Sequence, residues 1–288
     1  MTGDVTDLVT RVTGWLSRLM PDEPRRERLI AALHAAAADR PVTADECARL
    51  ERVAWAHSRH LELHFDPAGA ATPDEEPPGW PAADPAAVRS RAAGVSEVRR
   101  LGDGTCLIAL DGLDPWAVAG PYVDAAFALA RCARRIVLDL RANGGGDPAT
   151  VAGVAGRMLG DAATQLSEVV YRDRRRQWWT ADRPAGTALT QDVAVLVGRR
   201  TYSSGEALAY HLRVRGRVTV VGETTPGAAD HVTPIQLTPK VRGVLPEAYV
   251  RDVHTGGNWE GTGVVPDLAC PADEALAAAL ARPVPPSP

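Results

Sequence analysis

The sequence predicts an α/β protein, a mostly parallel β-sheet with helices on both faces, preceded by a small N-terminal helical domain. Three observations lead there. From about Val95 onward, short apolar runs alternate with stretches of helical length, the pattern of strands joined by helical crossovers. The runs IVLDL and VAVLV are apolar almost throughout, as expected of strands covered on both faces. Both lead into turn-rich segments, Asn143 to Gly146 and Thr201 to Gly205, at the carboxyl ends where open parallel sheets build their sites.

In chain order, Val5, Leu8, Val12, Trp15, Leu16 and Leu19 recur at helical spacing until Pro21 ends the run. A second helix fits Arg25 to Asp39, stopped by Pro41. Thr43 caps a third, Cys47 to His64, whose last run, Leu61–Phe65, alternates and fits a short strand equally well. Residues 1–65 thus form the helical domain. Residues 66–93, rich in proline, alanine and acid without an apolar period, read as a linker. The core spans 94–282, with strands at Val95–Leu101, Thr105–Leu110, Arg135–Leu140, Val193–Val197 and Val218–Val221. Helices fit Gly120–Cys132, Pro148–Leu159 and Gly205–Val214. After Gly222, VTPIQL and AYVRDV suggest an antiparallel addition, Asp273–Ala281 a closing helix, and 283–288 a disordered tail.

Composition removes several function classes. A net charge of −4 argues against nucleic acid as the main partner. Four scattered cysteines without CxxC or CxxH spacing indicate neither a zinc site nor a disulfide framework. The first twenty residues are amphipathic and acidic early, unlike a signal peptide, and no run approaches the ~18 apolar residues of a membrane span. The expectation is a cytoplasmic protein with no membrane partner.

The chemistry centres on Ser203 and Ser204, at a turn from a buried strand into a helix. There a hydroxyl lies near the backbone N–H groups and positive end of the helix. Such serines commonly cap the helix, with Glu206 closing a capping box from Ser203; nucleophilic serines of α/β hydrolytic enzymes occupy the same kind of turn. The Gly144-Gly145-Gly146 turn can aim N–H groups at one point and so hold an oxyanion, or be only a tight turn. It matches neither GxGxxG nor GxxxxGK[ST]. A nucleophilic serine needs a base, normally histidine. Pattern alone leaves that choice open among seven: His34, His57, His60, His64, His211, His231 and His254. No carboxylate at zinc-ligand spacing accompanies His57, His60 and His64, so no metal is expected. Glu260, held between Trp259 and Gly261, is a candidate for orienting a histidine.

Four blocks then carry a resemblance: DLRANGGGDPATV, VAVLVGRRTYSSGEALAYHL, VTVVGETTPGAA and NWEGTGVVPDL. In this order and spacing they resemble the C-terminal-processing serine protease superfamily. The likeness runs over about residues 45–280 and is closer to the tricorn-core and interphotoreceptor retinoid-binding-protein branch. It implies a ClpP/crotonase-like core with Ser203 as nucleophile. It also picks out His60 as the base, because AWAHSRHLEL resembles that branch's N-terminal block. Ser204 would give one oxyanion-hole N–H and the turn of Gly144, Gly145 and Gly146 the other, Gly145 being favoured. Glu260 resembles the acid that completes the relay to histidine, with Ser58 as a further relay group one residue away from the family's serine position, which Arg59 holds.

The chain also departs from its relatives. Tail-specific proteases of the superfamily use a Ser/Lys dyad, but Ala228 stands where that lysine would be, and the only lysine is Lys240. Their PDZ module is replaced here by the proline-rich linker. The resemblance implies no cofactor and a peptide or protein substrate; a homo-oligomer is compatible with it. Trp178, Trp179 and Trp259 are candidates to line a substrate groove, with core packing the expected role of at least one. Two other activities are open to this fold: binding of apolar ligands without proteolysis, and acyl transfer or cyclisation by a repurposed oxyanion hole.

Overall fold

The architecture is that of a computed structural model, which describes residues 3–283. The predicted tail, apart from Pro283, lies outside the described residues. In order, the elements are α1 (Val5–Leu19), α2 (Pro24–Ala35), α3 (Ala44–Ala54), β1 (Glu62–Phe65), α4 (Pro85–Ser90), β2 (Val95–Arg100), β3 (Thr105–Leu110), α5 (Trp116–Ala130), β4 (Arg135–Asp139) and α6 (Pro148–Gly156). There follow β5 (Gln165–Val170), β6 (Arg175–Trp179), β7 (Asp192–Val197), α7 (Ser204–Val214), β8 (Thr219–Gly222), β9 (His231–Thr238), β10 (Val241–Asp252), β11 (Leu268–Ala269) and α8 (Ala275–Ala281). They divide into two units.

The first unit comprises residues 1–82, 169–176 and 228–251. Asp4 caps α1 by accepting the Asp7 N–H at 2.8 Å, and Thr43 caps α3 through the Glu46 N–H at 3.2 Å. Burial of Val5, Leu8, Val12 and Leu16 on one face of α1, against Leu29, Leu33 and Leu50, gives these helices a shared apolar core. Ile235, Leu237, Val241 and Leu245 close that core from the strand side. The alternating run after α3 is indeed a strand: β1 pairs antiparallel with β10, which pairs antiparallel with β9. The strand order is β1-β10-β5-β6, with β9 on β10.

The second unit comprises residues 83–168, 177–227 and 252–288. Its sheet has the order β11-β8-β7-β4-β3-β2, parallel throughout except for β2 against β3. Val137, Ala194, Leu196 and Val221 pack against Ala275 and Ala279 of α8 on one face. Intervening residues Ile136, Leu138 and Val195 are equally buried, as strands covered on both faces require. The sequence missed β5 and β6; around β6, YRDRRRQWW carries the charge typical of a sheet edge rather than an apolar run. It also started α5 late, at Gly120. The helix instead begins at Trp116, whose N–H is taken by Asp147 Oδ2 at 2.9 Å, and it accommodates Pro121 inside. Among the described residues, no helix is long and apolar enough to cross a membrane.

Candidate active site

Ser203 stands at the N-cap of α7 with φ 52° and ψ −119°. That backbone region is close to forbidden for a residue with a Cβ, and such strain persists only where surrounding contacts over-determine it. The contacts are present. Glu206, fully buried, accepts the Ser203 N–H at 3.0 Å, the Gly227 N–H at 2.7 Å and the Thr225 hydroxyl at 2.5 Å. Gly227 O in turn accepts the Gly261 N–H at 2.8 Å, so one carboxylate ties the serine turn to the loop carrying Glu260.

Asn143 joins the glycine turn to the serine turn. Its side-chain NH2 donates to Leu110 O at 2.8 Å, its Oδ1 accepts the Gly145 N–H at 2.9 Å, and its main-chain O accepts the Tyr202 N–H at 2.9 Å. Gly145 has φ +101°, and Gly146 has φ +136° with Leu113 O packed where a Cβ would go. The Gly144 N–H donates to Asp111 O at 3.3 Å, and the Gly145 N–H is committed to Asn143. Two N–H groups, those of Gly146 and Ser204, make no hydrogen bond among the described residues. Ser204 Oγ donates to Gly146 O at 2.7 Å, which pins the two segments together.

His60 lies in the first unit, in the loop between α3 and β1, and is buried. Its Nδ1 is 2.6 Å from the main-chain O of Asp230. A carbonyl oxygen can only accept, so this contact puts the proton on Nδ1 and leaves the lone pair on Nε2. Burial lowers the His60 pKa, against an upward pull from Asp230, which favours the neutral ring. Ser58 Oγ accepts the His60 N–H at 3.3 Å and donates to Asp230 Oδ2 at 3.2 Å. Arg25 grips that buried carboxylate with both terminal nitrogens, each at 2.8 Å. Asp230 is the functional-site residue that sequence reasoning missed. The one available signal was an acid ending TTPGAAD, the turn already singled out for its missing lysine.

Next to Asp230, His231 is half-buried and its pKa is pushed down to about 4 by desolvation, with His60 and Arg176 adding to the drop. Tyr171 Oη lies 3.4 Å from its Nδ1.

In the second unit, Glu260 is half-buried and its N–H donates to Asn258 Oδ1 at 2.9 Å. Its neighbour Trp259 is interior, 2% exposed, packed against Tyr210 at 5.0 Å and edge-on to His211 at 5.8 Å. Both partners belong to α7, the helix that Ser203 opens. His211 Nδ1 and Arg215 Nη1 each lie 2.8 Å from Asp252 Oδ2. Burial raises the Asp252 pKa, but these hydrogen bonds outweigh it and hold the carboxyl well below the usual range. Trp178, unlike Trp259, lines a surface cleft.

A strained serine at a strand-to-helix turn, beside a glycine turn with an unused N–H, is the arrangement of a nucleophile facing an oxyanion hole. The family model for peptidase family S41 matches residues 118–270, more than half of the chain. The chain belongs to peptidase family S41. The match takes in the glycine turn, Ser203 and Glu260, but not His60. The family is one of peptidases. A putative peptidase from Parabacteroides merdae is similar over 96% of each chain, with TM-score 0.65 and 14% identity. A putative S41 protease from Bacteroides fragilis, 21% identical, aligns over 64% of this chain and 52% of its own, with TM-score 0.51. These two share the fold. The photosystem II D1 C-terminal processing protease is 25% identical over 59% of this chain, TM-score 0.46, and the chain spans only 43% of that protein's length.

Proposed function

We propose that this S41 member hydrolyses peptide bonds with Ser203 as nucleophile and His60, rather than a lysine, as general base. The observation that carries the reading is the strained Ser203 backbone together with two unused N–H groups, on Ser204 and Gly146. Ser203 Oγ attacks the scissile carbonyl while His60 Nε2 takes its proton and later returns it to the leaving amine. The N–H groups of Ser204 and Gly146 stabilise the tetrahedral oxyanion. Gly146 replaces Gly145 in this role because Asn143 already holds the Gly145 N–H. Loss of one such donor typically costs about 10²–10³ in rate.

Glu260 steadies the imidazolium formed during the reaction, and Ser58 with Asp230 fixes the His60 loop. Three features favour histidine over lysine: Ala228 at the lysine position, the neutral ring that burial favours, and the contact that puts the ring proton on Nδ1.

The test is labelling by a fluorophosphonate probe of wild type, Ser203→Ala and His60→Ala. The expected result is strong labelling of wild type only. Labelling that survives Ser203→Ala, or none in wild type coupled with tight uptake of a fluorescent apolar ligand, would replace this reading with the binding-protein one.

A further inference from the structure

Helix α6 opens two residues after the glycine turn, and one side of it lines a cleft of about 230 Å³. Ala149, Ala152, Gly153 and Gly156 form its floor. Gly153 has to be glycine because an added Cβ would stand 2.4 Å from the Trp116 ring. Indoles of Trp116, Trp178 and Trp179 make the walls, and Trp179 is half-exposed. The volume is below the roughly 300–1,000 Å³ of a cofactor or drug-sized site, so it suits one or two side chains rather than a cofactor.

Two guanidinium groups also line the cleft, and they differ in their partners. Arg157 is buried, stacks 5.1 Å over Trp116, and is neutralised by Asp124. Arg183 has no ion-pair partner among the described residues, and its buried Nε–H has no hydrogen-bond acceptor there. A buried donor without an acceptor is costly, and a carboxylate is the group that would satisfy both its hydrogen bond and its charge. Flat apolar walls beside an uncompensated cation thus ask for an aromatic ring next to a carboxylate.

We infer that this cleft is a specificity subsite that takes an aromatic side chain followed by an acidic residue on the peptide substrate, with Arg183 as the selecting group. The inference rests on the peptidase reading for its substrate class, and on the cleft alone for its chemistry. Ala149, in the first turn of α6, lies three residues beyond Gly146, so the subsite begins beside the segment proposed to hold the oxyanion.

The experiment measures binding without turnover. Fluorescein-labelled hexapeptides containing Phe-Glu, Phe-Gln, Phe-Lys or Ala-Glu are titrated into the full-length Ser203→Ala protein and followed by anisotropy. The Phe-Glu peptide is expected to bind about tenfold or more tightly than Phe-Gln, the worth of one charge-assisted hydrogen bond. Arg183→Gln should bring that ratio to about one, and Trp179→Ala should weaken both phenylalanine peptides. Equal binding of Phe-Glu and Phe-Lys, a preference that survives Arg183→Gln, or no binding of any peptide overturns the inference. The peptide series on the unsubstituted cleft tests the preference by itself, whatever the fate of a variant. Failure of the peptidase reading would show separately, as acid-selective binding in a protein whose wild type resists the fluorophosphonate probe.

Discussion

Gly145 and Ser203 pack so closely that a Cβ added to Gly145 would stand 2.9 Å from the Ser203 Cβ. The same Cβ would lie 3.1 Å from Tyr202 O, and Gly145 sits at a φ of +101° that other residues rarely adopt. The Gly145→Ala variant is therefore expected to lose about 1–3 kcal/mol of stability from backbone strain and to displace the serine turn. Thermal melting should report the first. A fall of at least about 100-fold in Ser203 labelling rate, the scale of a damaged oxyanion hole, should report the second.

Glu206 accepts from three donors inside the protein, so its substitution acts on more than a helix cap. In Glu206→Gln one carboxylate oxygen becomes an NH2 group facing a donor that needs an acceptor. The cost expected of such a mismatch is about 1–3 kcal/mol, measured by denaturant unfolding. Because Gly227 links Glu206 to Gly261, the variant should also slow Ser203 labelling more than its stability loss explains.

Arg25 and Asp230 form a pair whose halves are unequal to lose. Arg25→Ala leaves a buried carboxylate without its main cation and should destabilise by about 3–5 kcal/mol. The double variant Arg25→Ala/Asp230→Asn removes the stranded charge and should recover part of that loss. Equal or greater destabilisation in the double variant would show that the pair does not behave as a buried ion pair.

His60 has a depressed pKa, and general-base catalysis needs its neutral form. The acid limb of kcat/KM should accordingly fall below the ordinary histidine value of about 6.5, where an unperturbed imidazole would already be protonated. An acid limb at or above that value would contradict the assignment.

Stability should depend on pH through the same physics. His231 titrates near 4 when folded and near its ordinary value of 6.5 when unfolded, so between these pH values the unfolded chain binds the extra proton. Stability contributed by the neutral ring is present above about pH 6.5 and drains away as pH falls towards 4, by on the order of 3 kcal/mol. Urea unfolding at pH 7.5 and 4.5 should show this difference, and His231→Asn should reduce it.

Much of the serine turn was legible because its causes are local. The apolar run of β7 buries itself, Ser-Ser-Gly-Glu starts a helix, and three glycines permit the angles of the facing turn. Legibility failed where the informative atom belongs to a distant residue. Nothing near Gly145 announces that Asn143 will take its N–H, because that depends on Asn143 being fixed by Leu110 O and Tyr202 N–H. Trp259 read as a substrate contact because an aromatic in a glycine-rich loop has no periodicity to mark it as interior; Tyr210 and His211 bury it.

The sequence by itself determined the order of strands and helices apart from β5 and β6, the parallel character of the main sheet, and the placing of a serine at a strand end. Those follow from hydrophobic period, turn chemistry and capping, which act over a few residues. Only the tertiary structure decided which N–H groups stay unused, which tautomer His60 adopts, and that Asp230 pairs with Arg25 across 205 positions of chain. Such pairings depend on chain closure over long loops, which leaves no periodic trace in the sequence, and on burial, which turns a weak surface contact into one whose loss is costly.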